Sequence, residues 1–219
     1  MKFAAFETAT EWCSVALWLE GEIRALERHA PNAHAELALP MLERLMEEAG
    51  VGVQDLDAVA FGAGPGAFTG LRIACGLAQG LALGRGIPVL GVSTLEAIAE
   101  ESGAARVIAC LDARMREVYW AAFERDGERW RERLSARCTP PGALQAPEAG
   151  EWVGCGNGFA VYGAMGLARV HPEIHPSAAA VARLAAPRLA AGEGVDAAEA
   201  QPRYLRDKVA WTRAELERR

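Results

Sequence analysis

Gly62-Ala63-Gly64-Pro65-Gly66-Ala67-Phe68-Thr69-Gly70-Leu71-Arg72 joins an apolar run at 57–63 (DAVAFGA) to a long apolar stretch of helical period at 69–86. Glycines let a backbone pass close to a neighbour, and the start of a helix favours an anion. Three readings compete for this loop. A phosphate-cradling P-loop needs Gly-x4-Gly-Lys-Ser/Thr, but Leu71 follows Gly70 where the lysine would stand. A dinucleotide fingerprint matches Gly62-x-Gly64-x-x-Ala67 in outline. However, no Asp or Glu occurs between Asp57 and Glu96 to hold a ribose. The third reading is a tight strand-to-helix crossover that shapes a cleft or a packing surface.

The helix after the loop favours packing. Gly76, Gly80 and Gly84 recur every four residues and share one stripe. Each interior glycine costs about 1 kcal/mol relative to alanine, so a close approach by another element has to offset them. The rest is Ile73, Ala74, Leu77, Ala78, Leu81, Ala82 and Leu83, with only Arg72, Gln79 and Arg85 strongly polar. A helix apolar nearly all round is covered on both sides. A sheet covers one side. The other cover is either the helix read at 34–49 or a partner chain. That helix, HAELALPMLERLMEEA, places Ala38, Leu42, Leu45, Met46 and Ala49 at helical period and stops at Gly50. Pro40 belongs near its first turn or at a kink, and Met41 and Met46 suit an adaptable surface.

Outward from this core, 2–8, 12–19 and 22–28 read as three antiparallel strands, with a turn at Glu20-Gly21. A strand at 57–63, a strand at 88–92 (PVLGV) and a helix at 93–102, opened by a Ser93/Glu96 capping box, complete the first half. The prediction is a mixed five-stranded sheet flanked by helices. The pattern restarts near Gly103. Strands are read at 105–111, 117–124, 128–134 (across Asp126-Gly127) and 151–154, helices at 158–166 and 177–191, and a loop at 139–150. The fold class is therefore α/β with two related lobes, 1–102 and 103–204. A C-terminal helix at about 205–219 packs back on the first lobe.

Composition bounds the chemistry. The 219 residues carry 23 Lys+Arg and 29 Asp+Glu, a formal charge of −6, and 51% are hydrophobic. A chain of this size buries roughly 70% of its unfolded surface without staples, and the composition excludes disorder. Net acidity argues against strong attraction to a phosphate backbone. In the Arg-rich stretch 114–137 the acids Glu117, Glu124, Asp126, Glu128 and Glu132 alternate with arginines, as on a solvated strand face. Five scattered cysteines without a Cys-x-x-Cys pair argue against a disulfide framework or a thiolate zinc site. With no signal peptide read at the start, the expectation is a cytoplasmic protein with no membrane span. No serine lies in a Gly-x-Ser-x-Gly elbow, and Cys75 reads as a small core hydrophobe. His171 and His175 have i,i+4 spacing, but Pro172 and Pro176 oppose a helix there.

Four stretches, GPGAFTGLRIACGLAQGLA (64–82), PVLGVSTLEAIA (88–99), DARMREVYWA (112–121) and PRYLRDKVAW (202–211), resemble the TsaB (YeaZ) family. The resemblance covers most of the chain and is weakest over 125–150 and 168–200. It implies the actin, Hsp70 and sugar-kinase fold, two related lobes each built on a mixed five-stranded sheet. It also implies a non-catalytic role in making threonylcarbamoyladenosine at position 37 of tRNAs that read codons beginning with A. In that family the partner TsaD carries the transferase site, TsaE is an ATPase that joins the complex, and TsaC supplies the threonylcarbamoyl-adenylate. The lone subunit forms homodimers, and tRNA is met only through the complex. The implied contact is a four-helix arrangement of the helices at 34–49 and 69–86. It draws on Ala38, Met41, Leu42, Leu45, Arg72, Cys75, Gly76, Gln79, Gly80 and Leu83.

The resemblance also bears on chemistry. The two metal-binding histidines of TsaD fall on Thr94 and Ile98 here, and neither can ligate as imidazole does. The implication is no metal and no catalytic residue, and the older metallopeptidase label of the family loses its residues in the same way. Kinases of this fold face phosphates with an Asp-x-Gly turn. The corresponding Glu7-Thr8-Ala9-Thr10-Glu11 lacks glycine and carries two carboxylates. Glu7, Thr8 and Thr10 are the nucleotide-binding candidates, against a reading of the turn as a capped strand turn. Cofactors are none, apart from weak ATP or ADP binding in the assembled complex. His34-Ala35-Glu36 reads as a helix start more than as a general base. The segment from Pro202, with Arg203, Arg206, Lys208 and Arg213, is a solvated returning helix or a contact for TsaE, nucleotide or tRNA. The rival functions are a stand-alone ATP-dependent transferase or kinase, and a metallopeptidase.

Overall fold

Alternation along each strand sends residues to opposite faces of a sheet, and both faces of both sheets here are apolar, so each must be covered twice. The computed structural model describes residues 1–147 and 150–206. The first sheet contains β1 (Lys2–Glu7), β2 (Trp12–Leu19), β3 (Glu22–His29), β4 (Ala58–Gly64) and β5 (Val89–Ser93), in the order β3-β2-β1-β4-β5. β1, β2 and β3 pair antiparallel, while β1–β4 and β4–β5 are parallel. The second sheet contains β6 (Arg106–Asp112), β7 (Val118–Asp126), β8 (Arg129–Thr139), β9 (Val153–Cys155) and β10 (Arg169–His171). Read as β8-β7-β6-β9-β10, it repeats the order and the sense of pairing of the first. The doubling expected from the sequence is thus literal.

Helices fill the layers. α1 (His34–Ala49) and α2 (Phe68–Leu83) lie on the outer face of the first sheet, against Ala4, Phe6, Val15, Leu17, Val59 and Phe61. α5 (Ala178–Ala190) covers the opposite face, packing Val181, Leu184 and Ala185 on Phe3, Ala5, Ala60 and Val92. α3 (Thr94–Glu101) sends Leu95, Ile98 and Ala99 to Val107, Ala109 and Leu111 of the second sheet. The short α4 (Gly158–Tyr162), with Leu144 and Trp152, covers the far side around Ile108, Cys110 and Trp120. The two central helices are therefore exchanged: α3 follows the first sheet and covers the second, and α5 follows the second and covers the first.

Several boundaries differ from the sequence reading, each for a local reason. α2 ends at Leu83 rather than 86, with Gly84 as its C-cap and Gly86 left-handed at φ 64°. β8 runs to Thr139 because it keeps pairing with β7 through two register irregularities. α4 stops at Tyr162 because Gly163, at φ 74°, turns the chain out. β10 is only three residues long, too short for a periodicity to register. Pro40 sits inside α1, and Ser93 caps α3 by accepting from the Glu96 amide as expected. Of the segment from Pro202, residues up to Arg206 run extended and irregular. The rest of the helix expected at about 205–219 lies outside the described residues. No helix among the described residues is long and apolar enough to cross a membrane.

Candidate functional site

The glycine-rich loop is shaped by what lies under it. A Cβ on Gly62 would collide with the carboxylate of Glu7, and one on Gly70 with the carbonyl of Thr8. The loop is therefore moulded round the β1–β2 turn, and two bonds lock it there. The Thr8 hydroxyl donates to the Gly70 carbonyl at 2.8 Å, and the Ala67 amide donates to the Ala9 carbonyl at 2.8 Å. Glu7 is fully buried. It accepts from the Ala9 amide at 2.7 Å and from the Thr94 hydroxyl at 3.2 Å, while Thr94 accepts from the Gly64 amide at 3.2 Å. Burial pushes its carboxyl up to about 7 against the pull of those donors.

Of the three nucleotide candidates, Glu7 and Thr8 are thus spent on internal bonds, and Thr10 lines a cavity. That cavity, about 740 Å³, lies between the two halves and is walled by Thr10, His34, the start of α2, Asp112, Arg114 and Asn157. The β6–β7 turn that borders it holds Arg114, Met115 and Arg116 left-handed, at φ 60°, 56° and 61°. Arg114 is partnered by Asp112 at 3.3 Å and Glu11 at 3.7 Å, so its charge is largely answered within the wall. His34 opens α1 with 7% exposure and an unpartnered Nδ1, and burial lowers its pKa, with Thr10 and Glu11 acting the other way. The positions implied for metal ligands hold the Thr94 bonds above and Ile98 in the core, and His171 and His175 lie beyond β9 on no helix. Among the described residues no three His, Cys, Asp or Glu side chains cluster closely enough to share a metal ion.

The ten residues of the implied partner contact divide in two. Ala38, Met41, Leu42 and Leu45 of α1 and Cys75 of α2 point into the chain's own core. Met41 and Met46, expected at an adaptable surface, are core residues. The stripe 38-41-42-45-46 is the buried apolar face of α1, and it packs into the core that the first sheet shares with α2. Gln79 is half-buried and donates to the Ala200 carbonyl at 3.1 Å, which the Cys75 thiol also approaches at 3.4 Å. Arg72, Gly76, Gly80 and Leu83 face outward, and a Cβ on Gly76, Gly80 or Gly84 would meet nothing within 4 Å. Leu83 is 66% exposed, Phe68 44% and Leu39 of α1 40%.

The segment from Pro202, expected as a returning helix or a contact, forms over its described residues an irregular strap after α5. The Arg203 amide donates to the Ala63 carbonyl at 2.6 Å, and Tyr204 packs on Phe68 with Arg72 stacked 3.3 Å over that ring. The Arg206 guanidinium donates to the Ala113 carbonyl at 2.8 Å and to the Glu117 carboxylate. The strap thus ties α2 to the β6–β7 turn.

Residues 27–153 match the family model described as TsaD: tRNA N6-adenosine threonylcarbamoyltransferase. The tRNA threonylcarbamoyladenosine biosynthesis protein TsaB of Escherichia coli (strain K12) is 39% identical, over 96% of this chain and 97% of that protein. The chain belongs to the TsaB family. The family's Haemophilus influenzae protein is 35% identical over 94% of each chain. A solved family structure, YeaZ from Pseudomonas aeruginosa, superposes with a TM-score of 0.89 at 42% identity, covering 93% of this chain and 99% of that one. The family thus shares the two mixed five-stranded sheets described above.

Proposed function

We propose that the chain is the non-catalytic organising subunit of the cytoplasmic machinery that adds the threonylcarbamoyl group to N6 of adenosine 37 in tRNAs reading codons that begin with A. The names of its relatives support the pathway. The role rests on one observation: the outer face of α2 keeps two interior glycines with open space where their Cβ atoms would be. Among the described residues nothing offsets their helix penalty, whereas a partner helix seated on that smooth stripe would. Leu83, Phe68 and Leu39 supply apolar area around it, and Arg72 its polar edge. The partners are TsaD, with TsaE joining the complex, or a second copy of this chain when TsaD is absent. Contact with tRNA comes through the complex.

The side chains near the cleft support the absence of chemistry. Thr94 and Ile98 stand where the transferase subunit holds metal, Glu7 is walled in, and Arg114 is already paired. A polyphosphate would meet little free positive charge there, so nucleotide binding is expected to be weak outside the assembled complex. Gly80→Arg tests the reading. The side chain enters open space, so the chain, at a dilution where it is monomeric, keeps its circular dichroism and melting temperature. Co-elution with TsaD in sizing chromatography is lost, and unchanged co-elution at matched concentrations overturns the proposal. Calorimetry with ATP and magnesium separates the kinase-like rival, for which micromolar binding or turnover is required.

A further inference from the structure

We propose that His175 is a proton-operated clasp that fastens the start of α5, and with it the second half of the chain, to the first sheet. The ring lies in the loop between β10 and α5, and it stacks on Trp12 of β2 with 4.3 Å between centroids and 6° between planes. Its Nε2 is 2.8 Å from the carboxylate of Glu27 on β3, and its Nδ1 is 3.1 Å from the carbonyl of Glu173. Both partners only accept. A neutral imidazole carries one N–H and one lone pair, so either tautomer leaves a lone pair facing an acceptor. The geometry is satisfied only by the imidazolium, which is also the form that gains from lying over an indole face.

The surrounding charges agree. Glu27 is the strongest influence raising the His175 pKa against burial, and Glu101 of α3 adds to it. The Glu173 side chain is turned to His171 at 3.0 Å, and Arg183 of α5 answers Glu101 at 2.7 Å. His29 of β3 meets Trp12 edge-on at 5.2 Å. The clasp sits beside the other bonds that seat α5. The Ala178 amide donates to the Ser14 hydroxyl of β2 at 2.9 Å, and the Ser177 hydroxyl donates to Glu101 at 2.6 Å. Loss of the ring proton therefore removes the charge that pairs with Glu27 and leaves a lone pair facing either Glu27 or the Glu173 carbonyl, beside the joint where α5 enters the first sheet. The joint loosens as pH rises through the His175 midpoint.

The test follows the ring nitrogens of the ¹⁵N-labelled full chain by long-range ¹⁵N–¹H correlation across a pH series. Both nitrogens are expected to be protonated at pH 6, with a midpoint above the unperturbed value of about 6.5. Glu27→Gln is expected to lower that midpoint by about one pH unit, tenfold in proton affinity. In the same samples, hydrogen exchange of the amides at 178–181, corrected for intrinsic base catalysis, is expected to rise several-fold through the midpoint. That step is absent in His175→Gln. A singly protonated ring at pH 6, a midpoint at or below 6.5, or an exchange step that persists in His175→Gln overturns the proposal. The wild-type shifts and the Glu27→Gln titration decide it even if His175→Gln fails to fold.

Discussion

Glu7 shows how one residue sets the terms for its surroundings. A carboxylate sealed under the glycine loop gains three donors but loses water, and the loss wins, so its pKa stands near 7 in the folded chain against 4.5 unfolded. The folded state therefore holds this proton more tightly. The stabilisation linked to it is complete below pH 4.5, declines as pH rises, and is gone above about 7, an effect of about 3 kcal/mol. Glu7→Gln keeps an acceptor for the Ala9 amide and cannot ionise. It is expected to flatten the fall in melting temperature between pH 5 and 8 and to melt higher than wild type at pH 8. An unchanged slope would assign the pH dependence to other groups. Gly70→Ala belongs to the same scale. Its methyl runs into the Thr8 carbonyl, a backbone atom that cannot swing aside, so a loss of about 2 kcal/mol in urea unfolding is expected from overpacking.

At the scale of elements, the glycines of the loop and of α2 do two different jobs, and both were read from the sequence. Those of the loop were read as a close crossover, and the contacts with Glu7 and Thr8 show what they approach. The stripe was read as a contact surface from its four-residue period. The face α1 turns to the sheet could not be separated from a partner face, because a stripe at 38-41-42-45 is the same pattern for either cover. The doubling was legible because three strands in hairpin sequence open both halves. Short pieces such as β10 were not; the return of the segment from Pro202 was read, but not its irregular course, whose Arg203, Tyr204 and Arg206 contacts depend on tertiary position alone. The open stripe makes a two-sided prediction. Gly76→Ala and Gly80→Ala each add helix propensity with no clash within the chain, so each should stabilise it by about 1 kcal/mol at a dilution where it is monomeric. Both should weaken association with TsaD, because the methyls hold a docking helix away. Destabilisation of the chain by either alanine at a dilution where it is monomeric would mean that the chain itself already covers the stripe.

For the whole molecule, the exchange of α3 and α5 decides how the halves are coupled. Sequence order suggested a boundary near residue 103, yet the inner face of the first sheet, with Phe3, Ala5, Ala60 and Val92, is covered by residues 178–186. Neither half carries the helix that completes its own core. Two consequences follow. First, the chain unfolds in one step: calorimetry of the full chain should give a single transition with equal calorimetric and van't Hoff enthalpies, and two resolved transitions would contradict the coupling. Second, damage at α5 must reach the far sheet. Val181 is fully buried against the first sheet, and Val181→Asp places an unpaired carboxyl there, a change of several kcal/mol. Hydrogen exchange should then quicken in β1 and β2, more than 160 positions away in sequence, as well as in α5 itself. Protection lost only around β6–β10, with β1 and β2 unaffected, would show that α5 serves its own half and that the exchange carries no stability.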